Sequence, residues 1–579
     1  MSQAMMSELR QFVEDEMEAT RSQLFDTWER SLPEKLLTGH SQSFTKLEEG
    51  PSRDTVWAYP DPEQESRFRE GDLLRLHLGD PFEEVAAQLV LEEEADDCWL
   101  LSGHNLPGSA WERVANQLTY ADPDMIDLSG MYQQALDDIA RSPVGRQLVL
   151  PLLSGALPAD QLNSADYDAA ADIAESGYGF NEDQVDAVGW ACGARYLACI
   201  QGPPGTGKTR VLALIAKLLV TRGERILVTS HTHMAINNAL NRIYEEGVET
   251  IKVGKHTSLK GLRPEVECYE TFREWEDCPK DAGYVIGATP FATCTSRLEE
   301  HLFDTVIFDE ASQVTSPLAL MAMRRAKRFV FIGDHRQLPP VVSSLSVLDI
   351  GSASVFARLL SAERENVVTL NTTYRMNASL SAWPSEQFYA GLLQSDGAIK
   401  NRRFSLPNTP GEYQPILNGD HSLVFIESTG RNSRSINQDD AVLIAKLCKT
   451  CIDSGLSPKE IGVVVPFRNQ GRRIRTMLRR YLGPAIAKLI VADTVERMQG
   501  QEKELVILNM TATDPQYLCS LAGFLFQPQR MNVAVTRAKT KTIVIGPEVD
   551  DEFFHEEPEI GEWVDMYRSL IASCHRTTI

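Results

Sequence analysis

Apolar side chains recur along this 579-residue chain at two different spacings. Over residues 7–38, Leu9, Phe12, Val13, Met17, Leu24 and Trp28 return at roughly helical intervals among many Glu and Arg, which predicts helix. Shorter stretches follow, Asp72–Leu78 and Cys98–Leu101 among them, set between Gly, Pro and acidic turns. They predict a small β-rich module over about 51–120. Helical spacing returns over about 123–175.

From Tyr196 the pattern becomes apolar strand, Gly-rich turn, helix, repeated. Tyr196–Ile200, Arg225–Thr229, Gly283–Gly287, Thr305–Phe308 and Arg328–Ile332 are short strands with apolar centres. A second series runs through Ser422–Ile426, Ile461–Val465, Leu505–Leu508 and Thr542–Ile545. Continuous apolar strands alternating with helices signify parallel sheets covered on both faces. The expectation is therefore an α/β chain with two doubly wound domains, 179–348 and 349–579, behind an N-terminal region of 1–178. That region divides into helix over 1–50, the β-rich module, and helices over about 121–178.

Charge sharpens this division. Residues 1–180 hold 35 acidic and 12 basic side chains, whereas 181–579 hold 46 and 45. The net charge of −24 thus belongs to the N-terminal region, and the remainder is free to carry a local basic track. No run of about 18 apolar residues occurs, so no membrane span is expected. The N-terminal residues lack the basic start and apolar stretch of a signal peptide, and the expected location is cytoplasmic, or nuclear in a cell with a nucleus. The ten cysteines show no disulfide rhythm. Their one close pair, Cys448 and Cys451, lacks the second pair that a zinc site requires and reads as two packed thiols.

Candidate chemistry sits at the strand ends. Gly202-Pro203-Pro204-Gly205-Thr206-Gly207-Lys208-Thr209 joins an apolar strand to a helix, the context in which this spacing cradles phosphates. Glycines let backbone N–H groups approach the anion, Lys208 reaches the β- and γ-phosphates, and the Thr209 hydroxyl suits Mg²⁺. Asp309 and Glu310 follow the strand Thr305–Phe308: Asp309 is placed to hold Mg²⁺ and Glu310 to deprotonate an attacking water. Gln337, in the polar cluster after Arg328–Ile332, is a candidate relay to the γ-phosphate. Arg375 and Arg537 each stand beside an element end, where a guanidinium can stabilise charge spreading over a departing phosphoryl group. Gln184 offers a donor and an acceptor together, although Asn and Gln in such places also cap helices.

Taken as a set, GPPGTGKT, FDEASQ, GDHRQLPP, TYRM, ADTVERMQGQEKELVIL and QRMNVAVTRAK resemble the motifs of superfamily 1 helicases of the 5′-to-3′ subclass. The branch is that of the nonsense-mediated-decay helicase and the Okazaki-flap nuclease-helicase, and the motifs run in the family's order over about 180–546. The resemblance implies two RecA-like domains with ATP between them, preceded by a helical stalk and a small β-barrel-like accessory module. It further implies that Gln184 reads adenine, Tyr374 stacks on it and Glu502 lies near the ribose. Arg375 and Arg537 would be arginine fingers, and Gln499 and Gly500 would help sense the γ-phosphate. Ser230, Thr232, Thr289, Pro466 and Thr494 fall in motifs that grip a nucleic-acid strand. Two positions depart from the pattern: Thr373 stands where Gln is usual, and Gln501 where Arg is usual.

The expected activity is ATP-dependent 5′-to-3′ movement on single-stranded DNA or RNA, with strand separation or protein displacement as its output. The alternative is a motor or regulatory ATPase subunit of a multi-protein nucleic-acid processing or defence system, docked to a protein partner through the acidic N-terminal region. Neither a nuclease arrangement of acids nor a Cys-His zinc module is legible, and no residue distinguishes DNA from RNA.

Overall fold

The computed structural model describes residues 2–578 apart from 53, 62–63, 65, 69, 83–86, 95–97, 104–116, 158–161, 256–258, 299–300, 348, 362–365 and 551–552. Two compact units result: one of Ser7–Gln133 with Val342–Ser344, the other of Met1–Met6, Gln134–Val341 and Leu345–Ile579. Among the described residues no helix is long and apolar enough to cross a membrane.

The smaller unit contains most of the helix Ser2–Glu29, the helix Leu32–Thr38 and a closed barrel of six antiparallel strands. These are β1 (Gln42–Glu49), β2 (Thr55–Pro60), β3 (Leu73–His77), β4 (Ala87–Glu94), β5 (Trp99–Ser102) and β6 (Thr119–Pro123), in the order β1-β2-β5-β4-β3-β6. The pairing of Gln42 with Ala121 closes the ring. Alternation sends Phe44, Val56, Ala58, Leu74, Leu76, Leu89, Leu91, Trp99 and Leu101 inward, the period of two that a barrel lining requires. The barrel begins at Gln42, ahead of residue 51, where sequence patterning started the β-rich module. Polar residues at Gln42, Ser43, Lys46, Glu48 and Glu49 obscure the alternation of β1. A buried ionic cluster lies beneath this strand: the Asp122 carboxylate accepts hydrogen bonds from Lys35 Nζ and Ser41 Oγ and lies 3.4 Å from His77 Nε2. Burial alone would raise the Asp122 carboxyl, but His77, Lys35 and Ser41 hold it below its ordinary value.

The larger unit holds two parallel sheets. Eight strands form the first: β7 (Leu197–Gln201), β8 (Arg225–Thr229), β9 (Thr250–Val253), β10 (Glu267–Tyr269), β11 (Tyr284–Gly287), β12 (Thr305–Phe308), β13 (Arg328–Gly333) and β14 (Val367–Thr369), ordered β10-β9-β11-β8-β12-β13-β7-β14. A short parallel pair follows, β15 (Thr372–Thr373) with β16 (Gln394–Ser395). Six strands form the second sheet: β17 (Leu423–Glu427), β18 (Ile461–Val465), β19 (Val491–Thr494), β20 (Lys503–Asn509), β21 (Ala538–Gly546) and β22 (His575–Arg576), ordered β19-β18-β20-β21-β17-β22. The strands are apolar almost throughout because helices cover both faces. Lys208–Thr221 and Glu182–Gly193 pack on the first sheet, Gln438–Asp453 and Arg468–Leu482 on the second. Cys448 and Cys451 are buried in that second packing layer. The first sheet takes its edge strand β14 from beyond residue 348. Parallel strands share one direction, so in each sheet every chain segment leaving a C-terminal end emerges on the same edge. The candidate chemistry is found on those two edges.

Candidate nucleotide-binding site

The phosphate loop leaves β7 and enters the helix Lys208–Thr221 through glycines at positions that disfavour any side chain. Gly205 and Gly207 have φ of 77° and 84°. A Cβ on Gly205 would lie 2.5 Å from Arg375 Cβ and 2.6 Å from Thr373 Oγ1, and one on Gly207 would lie 2.7 Å from Gln184 Nε2. The loop is thus pressed between two other candidate motifs. Thr373 Oγ1 donates to Pro204 O at 2.9 Å and Tyr374 N to Gly205 O at 2.7 Å. The departure at Thr373 therefore has a local role: a short hydroxyl ties the second motif to the loop's backbone. Within the loop, Thr206 Oγ1 donates to Pro203 O, and Lys208 Nζ to Gly202 O at 2.6 Å. Thr209 is half-buried in the first helical turn.

Gln184 closes a capping box with Asn181 and donates from Nε2 to Thr206 O at 3.0 Å; it is 1% exposed. Both ends of its amide are occupied by backbone partners, so here it braces the loop from behind. The groups open to solvent on this side are the Tyr374 ring, 40% exposed, and Asn181 Nδ2, which donates to the Tyr374 hydroxyl at 2.9 Å.

Asp309 and Glu310 follow β12. Glu310 has φ of 50°, a left-handed conformation uncommon for a residue with a side chain and one that concentrates at functional sites. Burial, and then the neighbouring Glu310 carboxylate, push the Asp309 carboxyl up to about 7, with Lys208 opposing. Buried polar atoms without a protein partner gather along the same edge: Thr229 Oγ1 at the end of β8, Ser230 Oγ and His231 Nδ1 just after it, and Ser312 Oγ after Glu310. Two adjacent acids, with Lys208 acting on Asp309 and the Thr209 hydroxyl next to that lysine in sequence, make a set of hard oxygen donors. That composition fits Mg²⁺.

Side chains from the second sheet reach this edge. Gln499, after β19, donates from Nε2 to Glu310 Oε2 at 3.4 Å. Arg537 is buried, donating from Nε to Val533 O at 3.0 Å and from Nη2 to Gln337 Oε1 at 3.3 Å. Burial and the charge of Arg375 bring its guanidinium down to about 9. Arg375 donates from Nε to Glu502 Oε2 at 2.9 Å and from Nη1 to Thr536 O at 3.1 Å. Burial would raise the Glu502 carboxyl, yet Arg375 and Lys539 hold it below its ordinary value. Gly500 has φ of 76° and Gln501 O lies 3.5 Å from Arg537 Nη1.

Sequence patterning missed the hub of this junction. Asp334 is fully buried and its carboxylate accepts from Gln337 Nε2 at 2.8 Å, Arg336 N at 3.1 Å and the Tyr389 hydroxyl at 2.7 Å. That hydroxyl accepts from Asn532 Nδ2 at 2.8 Å. Tyr389 follows the helix Ala378–Phe388, in a stretch with no chemical motif around it. Asn532 lies within the arginine-bearing helix Pro528–Val535, and only its spacing from Arg537 could have drawn notice.

The candidate strand-gripping residues also lie on the two C-terminal edges, but differ in access. Thr232 is exposed and caps the helix His233–Glu245 through Ala235 N; Thr289 and Pro466 are half-buried. The side chains of Ser230 and Thr494 are buried.

Known proteins match this sequence. A family model described as an AAA domain matches residues 179–400, and a second AAA-domain model matches 352–549. The mouse DNA replication ATP-dependent helicase/nuclease is 28% identical over 416 residues, 66% of this chain. The DNA polymerase alpha-associated DNA helicase A of Schizosaccharomyces pombe is 27% identical over 538 residues, covering 81% of this chain and 77% of its own length. This chain belongs to the superfamily 1 helicases. Its match to the helicase/nuclease covers only 38% of that protein. Among solved structures, an arterivirus helicase, nonstructural protein 10, aligns over 87% of this chain and 78% of its own at 15% identity, with a TM-score of 0.38. As a superfamily 1 helicase, the chain brings its phosphate loop, acid pair and both arginines to one junction of two parallel sheets.

Proposed function

We propose that this chain is an ATP-driven motor that moves 5′ to 3′ along single-stranded nucleic acid and separates strands or displaces bound protein as it goes. The observation that carries the reading is the meeting of Gln499 with Glu310 and of Arg537 with Gln337, which makes the hydrolytic site depend on both sheets. Lys208 leaves Gly202 O and turns to the β- and γ-phosphates as ATP enters. Tyr374 stacks on the base, and Gln184 reaches its edge only by exchanging a backbone partner. Glu502 sits beside the ribose. Thr209 and Asp309 would hold Mg²⁺, which when bound neutralises phosphate charge. Glu310, oriented by the Gln499 amide, takes the proton of the attacking water. Arg375 and Arg537 face the charge that develops on the departing phosphoryl group, with Gln337 keeping Arg537 in place.

Closure of the two sheets assembles this site and reopening dissolves it, so each cycle shifts the grips on the strand relative to one another. Thr232 and Thr289 on the first sheet and Pro466 on the second are the accessible grips. Ser230 and Thr494 contribute from below, through backbone. The domains so defined are 179–348 with β14 added, and the rest of 349–579, with 1–178 as accessory region. The test is ATPase rate against matched single-stranded DNA and RNA oligonucleotides, then unwinding of duplexes tailed at the 5′ or the 3′ end. Strand-stimulated ATPase with 5′-tail preference is expected. Hydrolysis indifferent to nucleic acid would remove the motor reading.

A further inference from the structure

The helix Arg468–Leu482 begins two residues after Pro466 and carries six arginines and no acidic residue: Arg468, Arg472, Arg473, Arg475, Arg479 and Arg480. At 100° per residue these six fall within one half of the helix circumference, while Gln470, Ile474, Met477 and Leu478 occupy the other and are buried. The orientation is pinned. Gln470 Nε2 donates to Asn509 Oδ1 at 2.9 Å and to Asn437 O at 3.1 Å, and Gln470 Oε1 accepts from Asn437 N at 2.8 Å. Arg475 Nη1 anchors the flank on Ala492 O at 2.7 Å. Arg473, Arg479 and Arg480 face solvent, and Arg473 and Arg480 form no ion pair among the described residues. In a chain of net charge −24, such a row is not an average surface.

We propose that this face binds the phosphate backbone of a nucleic-acid duplex adjoining the strand held at Pro466. The inference rests on the nucleic-acid reading above and extends it to a second, double-stranded contact. Three features select the occupant. Forked guanidiniums suit phosphate oxygens. The row from Arg468 to Arg480 spans about 18 Å at 1.5 Å per residue, a length over which one strand of duplex presents about five phosphates. The polar half of the helix holds Asn469 and Thr476 beside its arginines and no aromatic side chain, whereas single-strand sites pair basic grooves with stacking rings. Charge without a stacking platform reads a duplex by its backbone.

The test compares three forms of the full chain: wild type, Arg473→Glu/Arg480→Glu, and Arg473→Lys/Arg480→Lys. Each is titrated with a single-stranded oligonucleotide and with the same strand extended into a duplex, at several salt concentrations, and each is checked by thermal unfolding. Wild type should bind the tailed duplex more tightly than the tail, with a steeper salt dependence. The glutamate variant should lose about two units of that slope, at roughly 0.9 per phosphate contact, while its affinity for the tail is kept. The lysine variant should retain most of the gain. Equal weakening toward tail and tailed duplex would overturn the proposal in favour of a single-strand track. An unaltered glutamate variant, or a wild type that gains nothing from the duplex, would overturn it and leave the motor reading standing. A glutamate variant that unfolds earlier yet binds as wild type would assign the two arginines to the stability of the fold and overturn the proposal. A wild type that binds neither nucleic acid would sink both readings.

Discussion

The two sheets of the larger unit build their halves of the junction by different means. The first sheet shapes its half with backbone: glycines at φ of 77° and 84°, Glu310 at φ of 50°, and a helix N-terminus behind the loop. The second sheet shapes its half with side chains, Arg375 held by Glu502 and Arg537 by Val533 O and Gln337. A backbone cradle holds its form whether or not its partner is near. Side-chain arms are set by whatever lies beside them, and here that includes the first sheet itself. A site divided this way can bind nucleotide with one half and hydrolyse it only with both.

That contrast can be broken from either side, and the arginine side should give the largest effect. Arg537→Ala is expected to lower ATPase kcat by about 10³-fold or more, the scale of an arginine finger, with nucleotide affinity changed little. Arg537→Lys should not rescue it, because one ammonium cannot span Val533 O and Gln337 as the fork does. Steady-state ATPase beside nucleotide titration reads both quantities, and a variant that loses affinity in step with kcat would place Arg537 in the cradle. Glu310→Gln should cost about 10²- to 10⁴-fold in kcat, the range for a general base, and leave binding intact. Retained turnover would remove the role given to Glu310.

Gly205→Ala tests the backbone half. The added Cβ meets Arg375 Cβ and Thr373 Oγ1 inside van der Waals distance at a φ that disfavours side chains. It should destabilise the fold by about 1–3 kcal/mol and weaken nucleotide affinity itself, unlike either variant above. Calorimetric unfolding with and without nucleotide separates the two effects; unchanged affinity would mean that the loop's shape is not set by these glycines.

Most of the architecture was legible because its physics is local. Apolar runs such as Val306–Phe308 and Phe329–Ile332 mark buried parallel strands by composition alone, and the glycines of the phosphate loop mark positions where a Cβ will not fit. What escaped notice depends on partners distant in sequence. β9 and β14 are three or four residues long and gain their identity only by pairing with β11 and β7. β1 hides its inward period behind charged residues. Gln184 was read both for the chemistry its amide offers and as a capping residue; the fold uses it in a capping box and adds a contact to Thr206 O that spacing alone does not reveal. Tyr389 stands in no motif, and Asn532, although inside QRMNVAVTRAK, had no role assigned; burial of Asp334, more than 50 residues from Tyr389 in the chain, is what gives them a task.

Tyr389→Phe measures that task. Removing the hydroxyl leaves the Asp334 carboxylate two donors, Gln337 and Arg336, and leaves Asn532 Nδ2 with Arg336 O alone. Loss of one hydrogen bond to a buried charge should cost about 1.5–3 kcal/mol of stability. Because Gln337 also holds Arg537, kcat per folded molecule should fall while KM for ATP stays near wild type; dividing turnover by the folded fraction separates this from loss of stability alone. A smaller change comes from Thr373→Val, which keeps the shape and deletes the donor to Pro204 O together with the long acceptor contact from Arg375 N, at about 1 kcal/mol. If the junction is a lock whose bolts are side chains, Tyr389→Phe should loosen turnover more than Thr373→Val does, although Thr373 is the one that touches the phosphate loop. The reverse order, with Thr373→Val the slower enzyme, would mean that the second sheet acts by pressing on the loop and not by positioning Arg537.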